Sequence, residues 1–550
     1  MVGHEAEAGG AQMWRWLDLN VWRYSAAAFG PPSQRAAARG GRVDGPARMC
    51  EINPLLGGLN MRILTFVVLA SLTTLVSNAA GGVPDPNAPT WWSKYQHIQQ
   101  SSGILPASTS QSVNIGGNVD VSNECGPQSE TFIAMNDGST IAGGSNEIFR
   151  LPMRAYFSSD GGKTWGADDV PLPPAKGANG IDFGSDPTLA FDTRGNLFYG
   201  SIVVFFGAGS GINGTELSVA RSTDGGQTWT PSFFGFSGGS NHFNDKPMIT
   251  TDRSLSSPFR DQIYLAWDAA SGGSATGGGV LVATSKDAGA SFSIVRADNP
   301  HGPGRAIAAV PFTGPKGELY VAWNDYRANT IAFSASLDGG SSFVAESVVS
   351  GKTLAFDVGI PAEFSRRALV YPACDVDRTR GAHRGRLYCS WMDADAMGTG
   401  IFLSTSDNGG VSWSQPRPVG DRLAFAVDRF NQWLAVDPVT ADVVISFYDT
   451  RNDTTGQRYG TDIYLARSTD GGATFAPDVR VSTVTSNEHD CNGVFPCSAI
   501  DYGNQQGDYS GVASYGGIAH PLWTDSRVNQ EPVAGCAVPA MEEIFTSAVK

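Results

Sequence analysis

The arginine residues of three Asp-x-Arg elements are the first candidates for chemistry in this chain. The elements end three β-rich runs, at WNDYR (Trp323–Arg327), FYDTR (Phe447–Arg451) and WTDSR (Trp523–Arg527). A guanidinium group binds a carboxylate through two parallel charge-assisted hydrogen bonds. Arg327, Arg451 and Arg527 could therefore converge on an acidic ligand. Alternatively, each arginine pairs with the aspartate of its own element and braces a loop, and the sequence leaves both interpretations open.

A second group of residues could transfer protons. Tyr509 and Asp508 are adjacent in GDYSG, while Asp245 and Glu130 stand at the start of other β-rich runs. A positioned carboxylate can act as a general acid or base. The alternative is structural, with the carboxylates bonded to neighbouring backbone and the tyrosine packed as an ordinary strand aromatic. Arg429, which also precedes a β-rich run, joins the other arginines as a candidate ligand-binding group.

The segments that carry these residues are separated by a repeated sequence of eight residues, which occurs six times. It reads Ser-x-Asp/Asn-x-Gly-x-Ser/Thr-aromatic and occurs at Ser158–Trp165, Ser222–Trp229, Ser285–Phe292, Ser336–Phe343, Ser406–Trp413 and Ser468–Phe475. The Asp or Asn side chain can hydrogen-bond the backbone of a tight turn, and the glycine can take a positive φ. The copies start about 51 to 70 residues apart, a spacing that indicates a repeat architecture.

Three short β-rich runs precede each copy of the phrase. Before the second copy they are PTLAF (Pro187–Phe191), NLFYGSI (Asn196–Ile202) and ELSVAR (Glu216–Arg221). Alternating, β-branched and aromatic residues bounded by Gly, Asp and Asn are strand signals. With an outer strand after the phrase, each unit has four strands, which is typical of a propeller blade. We therefore predict an all-β propeller with six such blades.

The end of the chain predicts a further blade. Val512–Ser514, Ile518–Thr524 and Glu543–Ala548 supply three strands, but no copy of the phrase follows them. Asn118–Glu124 (NVDVSNE) resembles the outer strand of the preceding unit and could provide the fourth strand. Closure by an N-terminal strand would remove the exposed sheet edges of an open array. The prediction is a seven-bladed propeller with a composite last blade, and the alternative is a six-bladed one.

The repeated phrase resembles the Asp-box (BNR) repeat of the sialidase-like β-propellers. The resemblance implies a glycoside hydrolase of exo-α-sialidase type that releases terminal acidic sugars. It also implies an arginine triad for the sugar carboxylate, and a tyrosine nucleophile assisted by a glutamate and an acid/base aspartate. The corresponding candidates are the arginines above as substrate-binding groups, with Tyr509, Asp508, Asp245 and Glu130 as catalytic ones.

Two features depart from the sialidase pattern. Well-known sialidases have six blades rather than seven. Phe149–Pro152 (FRLP) is similar to the segment that carries the first arginine of the sialidase triad, but only five residues separate it from the first Asp box. We therefore expect Arg150 in a loop between the second and third strands, and we interpret the match as coincidental.

Two other function classes fit the same fold. One is a polysaccharide lyase or related enzyme acting on uronate-containing glycans, with His242, beside Asp245, as the candidate base. The other is a non-catalytic propeller that binds carbohydrate or protein. All three classes imply a macromolecular partner, a glycan in the first two, and none requires a metal or other cofactor. Fold alone does not decide among them.

Composition narrows the possible partners. The formal net charge of −15 argues against general nucleic-acid binding, which needs a basic face. A charged fraction of 17% and a hydrophobic fraction of 41% are typical of a compact soluble protein, which we expect to be monomeric and not inserted in a membrane.

The first 111 residues predict processing rather than a domain. Residues 1–60 read as a non-structural upstream extension. Residues 61–80 combine a basic start, an apolar run at Ile63–Val76 and small residues at the end, the pattern of a secretory signal peptide. Residues 81–111 form an irregular lead-in, and 112–550 form the propeller. We therefore expect a secreted, extracellular protein, with a membrane anchor as the alternative.

Secretion affects the interpretation of the cysteines. Six of the seven follow the predicted signal peptide, and an even number in an oxidising compartment indicates disulfides. The strand assignment predicts three pairs: Cys125 with Cys536, Cys374 with Cys389, and Cys491 with Cys497.

Overall fold

The computed structural model describes residues 111–148, 150–175, 182–206, 212–232, 244–269, 279–298, 306–363, 367–489, 506–528, 532 and 540–550. The predicted extension (1–60), the signal peptide (61–80) and the lead-in up to residue 110 lie outside these ranges, so these assignments stay predictions. Within the described ranges, no helix is long and apolar enough to cross a membrane.

The chain starts with a β-hairpin and then builds its blades in order, each from the axis outward. The hairpin comprises β1 (Val113–Ile115) and β2 (Asn118–Asp120). Blade 1 comprises β3 (Gly126–Met135), β4 (Ile141–Glu147), β5 (Met153–Ser158) and β6 (Gly166–Val170). Blade 2 comprises β7 (Asp182–Phe191), β8 (Leu197–Phe206), β9 (Ile212–Ser222) and β10 (Thr230–Ser232). Blade 3 comprises β11 (Asp245–Thr251), β12 (Ile263–Asp268), β13 (Val280–Ser285) and β14 (Ser293–Arg296).

The next three blades repeat this plan, with one small added sheet. Blade 4 comprises β15 (Ala306–Thr313), β16 (Leu319–Asp325), β17 (Thr330–Ser336) and β18 (Ser347–Gly351). A two-stranded sheet follows, made of β19 (Asp357–Val358) and β20 (Ala368–Leu369). Blade 5 comprises β21 (Ala373–Val376), β22 (Leu387–Asp395), β23 (Gly398–Ser406) and β24 (Arg417–Val419). Blade 6 comprises β25 (Arg429–Val436), β26 (Val443–Asp449), β27 (Asp462–Ser468) and β28 (Val479–Arg480).

The last blade is composite, as the sequence predicts. Its strands are β29 (Gly511–Tyr515), β30 (Ile518–Asp525) and β32 (Glu543–Thr546), followed outward by β2 and β1 from the N-terminal hairpin. β2 pairs with β32 in antiparallel register, Val119 opposite Thr546 and Asp120 opposite Phe545. A further strand, β31 (Ala540–Met541), pairs in parallel with β3 of blade 1. The seven-bladed prediction is confirmed and the six-bladed alternative is wrong; β1, as a fifth strand, was not predicted.

Tryptophans on second strands fill the space between several blades. Trp267, Trp323, Trp391 and Trp523 lie on β12, β16, β22 and β30, and all are fully buried. The indole is the largest apolar side chain, and its burial is a large part of the packing free energy of each blade.

The six Asp boxes lie in the turns between third and fourth strands and share one hydrogen-bond pattern. In the fourth box, Ser336 Oγ donates to Asp338 Oδ1 (2.8 Å), and the amide of Gly340 donates to Ser336 Oγ (2.9 Å). The amide and hydroxyl of Ser342 donate to the two oxygens of Asp338 (2.9 and 2.6 Å). The fifth box makes the same bonds to Asn408 Oδ1, and Asn408 Nδ2 donates to Ser412 Oγ. The boxes are therefore structural turns.

One predicted disulfide is present, between Cys374 and Cys389 on the paired strands β21 and β22. Cys125 is also held in a disulfide. Its predicted partner Cys536, and both members of the predicted pair Cys491–Cys497, lie outside the described residues. Those two pairings stay predictions.

The Asp boxes should make the fold sensitive to strong acid. Hydrogen bonds from Ser342 and Ser336 lower the pKa of Asp338 to about 2. Because this pKa lies below the value of about 3.8 in the unfolded chain, its stabilisation is complete above pH 4 and is lost as pH falls toward 2. We expect Asp338→Asn, which reproduces Asn408, to keep the thermal midpoint at pH 7 and to lose less stability between pH 4 and pH 2.

Asp338→Ala is the matched variant, because it removes the acceptors altogether. It should destabilise the protein at neutral pH by about 1 kcal/mol or more. Thermal unfolding monitored by circular dichroism at pH 7, 4 and 2 tests both variants. An equally stable Asp338→Ala variant would contradict a structural role for the box.

Candidate active site on the propeller axis

Most of the innermost strands begin with a β-bulge, and each bulge contains a non-glycine residue with a positive φ. The register shifts at the start of the innermost strands of blades 1, 2, 3, 4 and 6. At each shift one non-glycine residue has a positive φ: Glu130 (53°), Asp186 (60°), Lys246 (47°), Ala308 (61°) and Asn431 (47°). Such a conformation costs on the order of 1–3 kcal/mol per residue and is concentrated at functional sites.

Lys246 is the centre of this group. Its Nζ lies 2.7 Å from Asp508 Oδ2, 3.2 Å from Glu130 Oε2 and 3.5 Å from Asp186 Oδ2. The lysine and these three carboxylates come from four different blades, and all four residues are at most 4% exposed. A buried lysine is tolerated because the carboxylates compensate for the lost hydration of its charge.

Two tyrosines complete the group, which we call the axial cluster (Glu130, Asp186, Asp245, Lys246, Tyr371, Asp508 and Tyr509). Lys246 Nζ lies 4.6 Å from the ring centroid of Tyr509 and 5.7 Å from that of Tyr371. The Tyr371 hydroxyl donates to Asp508 Oδ2 (3.3 Å), whereas the Tyr509 hydroxyl donates to the carbonyl of Pro187 (3.2 Å). The cluster therefore contains one tyrosine directly bonded to a carboxylate.

Burial and mutual charge shift the pKa values of the axial cluster. Burial raises the pKa of Asp186 to about 6, although Lys246 opposes the shift. Burial also raises the pKa of Asp245, which hydrogen-bonds with Asp186. For Lys246 the effect of burial, which would lower its pKa, is outweighed by Asp186, Asp508 and Glu130, so its pKa is raised. Burial and the nearby carboxylates raise the pKa of Tyr509 well above 10. Lys246 is therefore charged, and Asp186 exchanges its proton near neutral pH.

Gly507 allows the close approach of blade 7 to blade 1. Its φ is 78°, and a Cβ added there would lie 2.3 Å from Glu130 Cγ. Any larger residue would displace Glu130 from Lys246. The glycine of the GDYSG element is thus required by the geometry of the axial cluster.

The structure brings all four predicted catalytic candidates together. Tyr509, Asp508, Asp245 and Glu130 belong to one cluster although up to 379 positions separate them in the chain (509 − 130). Their catalytic role stays a prediction. His242, the candidate base of the lyase interpretation, lies outside the described residues.

Two of the arginine candidates are held by carboxylates in blade 6. Arg451 Nη2 lies 2.7 Å from Asp449 Oδ2 and 2.6 Å from Asp478 Oδ2, and its Nη1 lies 3.1 Å from Asp421 Oδ2. Arg429 Nε shares Asp449 Oδ2 at 2.8 Å. The bracing geometry considered from the sequence is therefore present for Arg451.

The other two arginines differ from each other. Arg527 pairs with Asp525 of its own element (2.6 Å) and donates to Asn118 Oδ1 on β2 (3.0 Å), so it also secures the composite blade. Arg327 is exposed; its backbone amide donates to Asp325, but its side chain has no partner among the described residues. Of the four arginines, Arg327 is the one whose guanidinium is available to a ligand without breaking an ion pair of the described structure.

Sequence reasoning did not assign roles to Lys246, Asp186 or Tyr371. Each of them directly precedes a proline at the start of an innermost strand or of the segment leading to it: Asp186-Pro187, Lys246-Pro247 and Tyr371-Pro372. This shared pattern could have identified them. Arg150, in contrast, lies between β4 and β5 as expected and pairs with Glu124 and Asp169. No group of three His, Cys, Asp or Glu side chains within the described ranges is arranged to hold a metal ion.

Lys246→Met should destabilise the protein at neutral pH by about 3–5 kcal/mol, because it leaves buried carboxylates without their cation. The pKa values of these carboxylates in the folded protein would then lie further above the pKa values that they have in the unfolded chain. The folded form would take up protons more readily, so stability should rise as pH falls from 7 toward 4. Urea unfolding at pH 7 and pH 5 measures both effects. Adding Asp508→Asn should restore part of the stability, and an equal loss at both pH values would contradict the assignment.

Arg451→Ala should lower the stability by about 3 kcal/mol, because the buried carboxylate of Asp478 loses its cation and Asp449 keeps only Arg429. Arg327→Ala in the equivalent element is the matched control and should change stability by less than about 0.5 kcal/mol. Thermal midpoints of the two variants decide the matter. Equal midpoints would show that the ion pairs of Arg451 do not brace blade 6.

Comparison with known proteins agrees with the repeat assignment. A family model described as BNR/Asp-box repeat matches residues 220–231, which contain the whole second Asp box. No curated protein is significantly similar to the chain in sequence.

Several solved structures are similar in outline. A Hadza microbial sialidase is 15% identical with a TM-score of 0.38, over 58% of this chain and 63% of its own. A sialidase from Streptococcus pneumoniae is 9% identical with a TM-score of 0.43, over 63% and 68% of the two chains. An α-L-arabinanase from Penicillium chrysogenum is 12% identical with a TM-score of 0.39, over 67% and 93%. With TM-scores below 0.5, these similarities do not bear on the chemistry of the axial cluster.

The assignment of the chain rests on its own repeats. Six Asp-box turns share one hydrogen-bond pattern, seven blades surround one axis, and the family model matches a box directly. The chain is therefore a seven-bladed β-propeller with Asp-box (BNR) repeats.

Proposed function

We propose that this chain is a secreted glycoside hydrolase of exo-α-sialidase type, which releases terminal acidic sugars from glycans. The observation that carries the proposal is the axial cluster, where two tyrosines and several carboxylates from different blades surround Lys246. A tyrosine nucleophile suits an acidic substrate, because a neutral hydroxyl does not repel the sugar carboxylate as a carboxylate nucleophile would.

The nucleophile must pass its proton to a base. Asp508 accepts a hydrogen bond from Tyr371 and is bound by Lys246, so it is the best-placed base for a tyrosine of the cluster. Tyr509 has its ring against the same lysine. The proposal places the nucleophile at one of these two adjacent tyrosines, with Tyr509 the candidate from sequence and Tyr371 the candidate from hydrogen bonding.

A general acid must protonate the leaving group. Asp186 is suited to this step, since burial raises its pKa to about 6 and it is partly protonated near neutral pH. Asp245 hydrogen-bonds with Asp186, and Glu130 contacts Lys246, so both remain in reach of the same proton network. Among the substrate-binding candidates, Arg327 has the exposed guanidinium that an acidic sugar could approach.

One observation favours a second candidate, a non-catalytic glycan-binding propeller. Tyr509 and Glu130 are 1% exposed, and Asp508 is 2% exposed. Buried ion pairs of this kind could also serve only to hold the blades together and to fill the axis. In that case a ligand would bind at the surface and the cluster would only maintain the fold.

Incubation with a fluorogenic sialoside, a uronate polysaccharide and a neutral glycan tests the proposal. We expect release of sialic acid by the unaltered protein. Tyr509→Phe or Tyr371→Phe, whichever removes the nucleophile, should reduce the rate at least about 100-fold with little change in thermal midpoint. Asp508→Asn should reduce it by about 10²–10⁴-fold, as is typical for loss of a general base.

Tyr320→Phe is the matched control, because Tyr320 packs against Phe312 in blade 4 away from the axial cluster. It should retain full activity. Absence of release from every sialoside, together with stabilisation by sialoside in thermal unfolding, would replace the hydrolase with the binding propeller. An absorbance from unsaturated product with the uronate polysaccharide would favour the lyase.

A further inference from the structure

A cavity lies on the axis, on the side of the aromatic residue Trp433 that faces away from the axial cluster. It has a volume of about 1040 Å³ and is lined by the later residues of the innermost strands and by the loops that follow them. Those loops lie on the same face as the Asp boxes, because the first and third strands of a blade run in the same direction. The cavity is therefore separate from the proposed catalytic face.

The cavity follows from alternation along the innermost strands. On β3 the partly exposed residues Phe132 and Ala134 alternate with the buried Ile133 and Met135. Successive side chains of a strand point to opposite faces, so the partly exposed set faces the axis. The lining further includes Ala190, Thr250, Ala435 and Ser514, which are small like Ala134, together with the larger Phe312. These small residues leave the axis open.

Larger residues close the cavity on the inner side. One step toward the axial cluster, the lining residues are Phe132, Met248, Val310, Trp433 and Val512. The rings of Phe132 and Trp433 meet edge to face, with centroids 5.3 Å apart, and Trp433 in turn lies 6.3 Å from Tyr509. The cavity thus ends on an apolar, aromatic floor. Because it is closed at this end, it suits a small molecule rather than a polymer threaded along the axis.

Four arginines line the cavity on its open side: Arg253, Arg378, Arg380 and Arg384. Arg253 donates to the carbonyls of Met135 and Asn136 (2.9 and 2.8 Å), and Arg384 donates to the carbonyls of Arg378, Thr379 and Pro315. These oxygens position the guanidinium groups but carry no net charge. Arg380 is exposed and its side chain has no partner among the described residues.

The charge balance at this mouth is positive. Of the carboxylates, Asp375 also lines the cavity, and it is already bound by Arg378 Nη2 at 2.7 Å and by the amides of Val376 and Val436. Asp252, beside Arg253, accepts hydrogen bonds from Ser254 and Ser257. Burial and the proximity of Arg378 lower the pKa of Arg253, although the charges of Asp192 and Asp137 oppose the shift. The four arginines thus face two nearby carboxylates, Asp375 and Asp252, so the mouth is positive although the chain has a net charge of −15.

We infer that this cavity is a binding site for a small anionic ligand, whose carboxylate or sulfate group contacts the arginines and whose body rests on the aromatic floor. Guanidinium groups bind both oxyanions with two parallel hydrogen bonds. The volume is that of a site for a ligand of sugar-acid to disaccharide size. Trp433 and Phe132 supply the apolar surface on which a sugar ring can pack.

Calorimetric titration of the full chain with D-glucuronate and with inorganic sulfate tests the inference, with D-glucose as the neutral probe. We expect saturable binding of glucuronate that weakens as salt rises. Sulfate should compete with it, and glucose should not bind. Arg380→Gln and Arg384→Gln should each weaken glucuronate binding at least about 10-fold. Arg422→Gln, at an exposed arginine outside the cavity, is the matched control and should leave binding unchanged.

Two further variants test the binding site without removing an arginine and without relying on catalytic turnover. Ala435→Leu narrows the cavity without removing a charge and should also abolish binding. Tyr509→Phe should retain binding, because the axial cluster lies behind the aromatic floor. Loss of glucuronate binding in Tyr509→Phe, unchanged affinity in both arginine variants, or no binding by the unaltered protein would each overturn the inference, whatever the outcome for sialosides.

Discussion

The structure depends on one antiparallel pairing between the two ends of the propeller. Val119 and Asp120 on β2 pair with Thr546 and Phe545 on β32, and this pairing completes the outer half of blade 7. Without it, the outer edge of β32 would be open and the ring would lack closure. Several side chains reinforce the contact. Ser122 donates to Glu543, and Arg527 of blade 7 donates to Asn118.

Closure fixes the geometry of the axis. Glu130 and Lys246 are 116 positions apart in sequence, yet they form an ion pair because blades 1 and 3 are held at set angles around the ring. The positive-φ bulges place these side chains inward, and the local strain is compensated by the ion pairs they make possible. Lys246 is consequently the residue through which four blades are joined at their inner ends.

The two ends of the axis have opposite character. At the axial cluster, carboxylates outnumber the single lysine, and protonation of Asp186 near pH 6 moderates their repulsion. At the opposite mouth, arginines outnumber carboxylates and are held by backbone carbonyls. A layer of large apolar residues, including Trp433, separates them. This layer keeps the charged groups of the two ends apart.

The sequence by itself determined the repeat, the blades and their number. The Asp-box turns are local: each is built from bonds within eight residues, so the phrase predicts its own conformation. The composite blade was also predictable, because Asn118–Glu124 has the pattern of an outer strand and the last unit lacks one. The Cys374–Cys389 disulfide followed from adjacent strands.

The tertiary structure alone decided which side chains meet. Whether Arg451 binds ligand or braces a loop depends on Asp421 and Asp478, which lie 30 and 27 positions away and carry no local signal. The role of Lys246 depends on residues of three other blades. The open cavity is lined by small residues that come from separate strands. Contacts between residues that are distant in sequence are set by the closed ring and the stagger of its strands. Sequence periodicity shows only which face of its own strand a residue occupies.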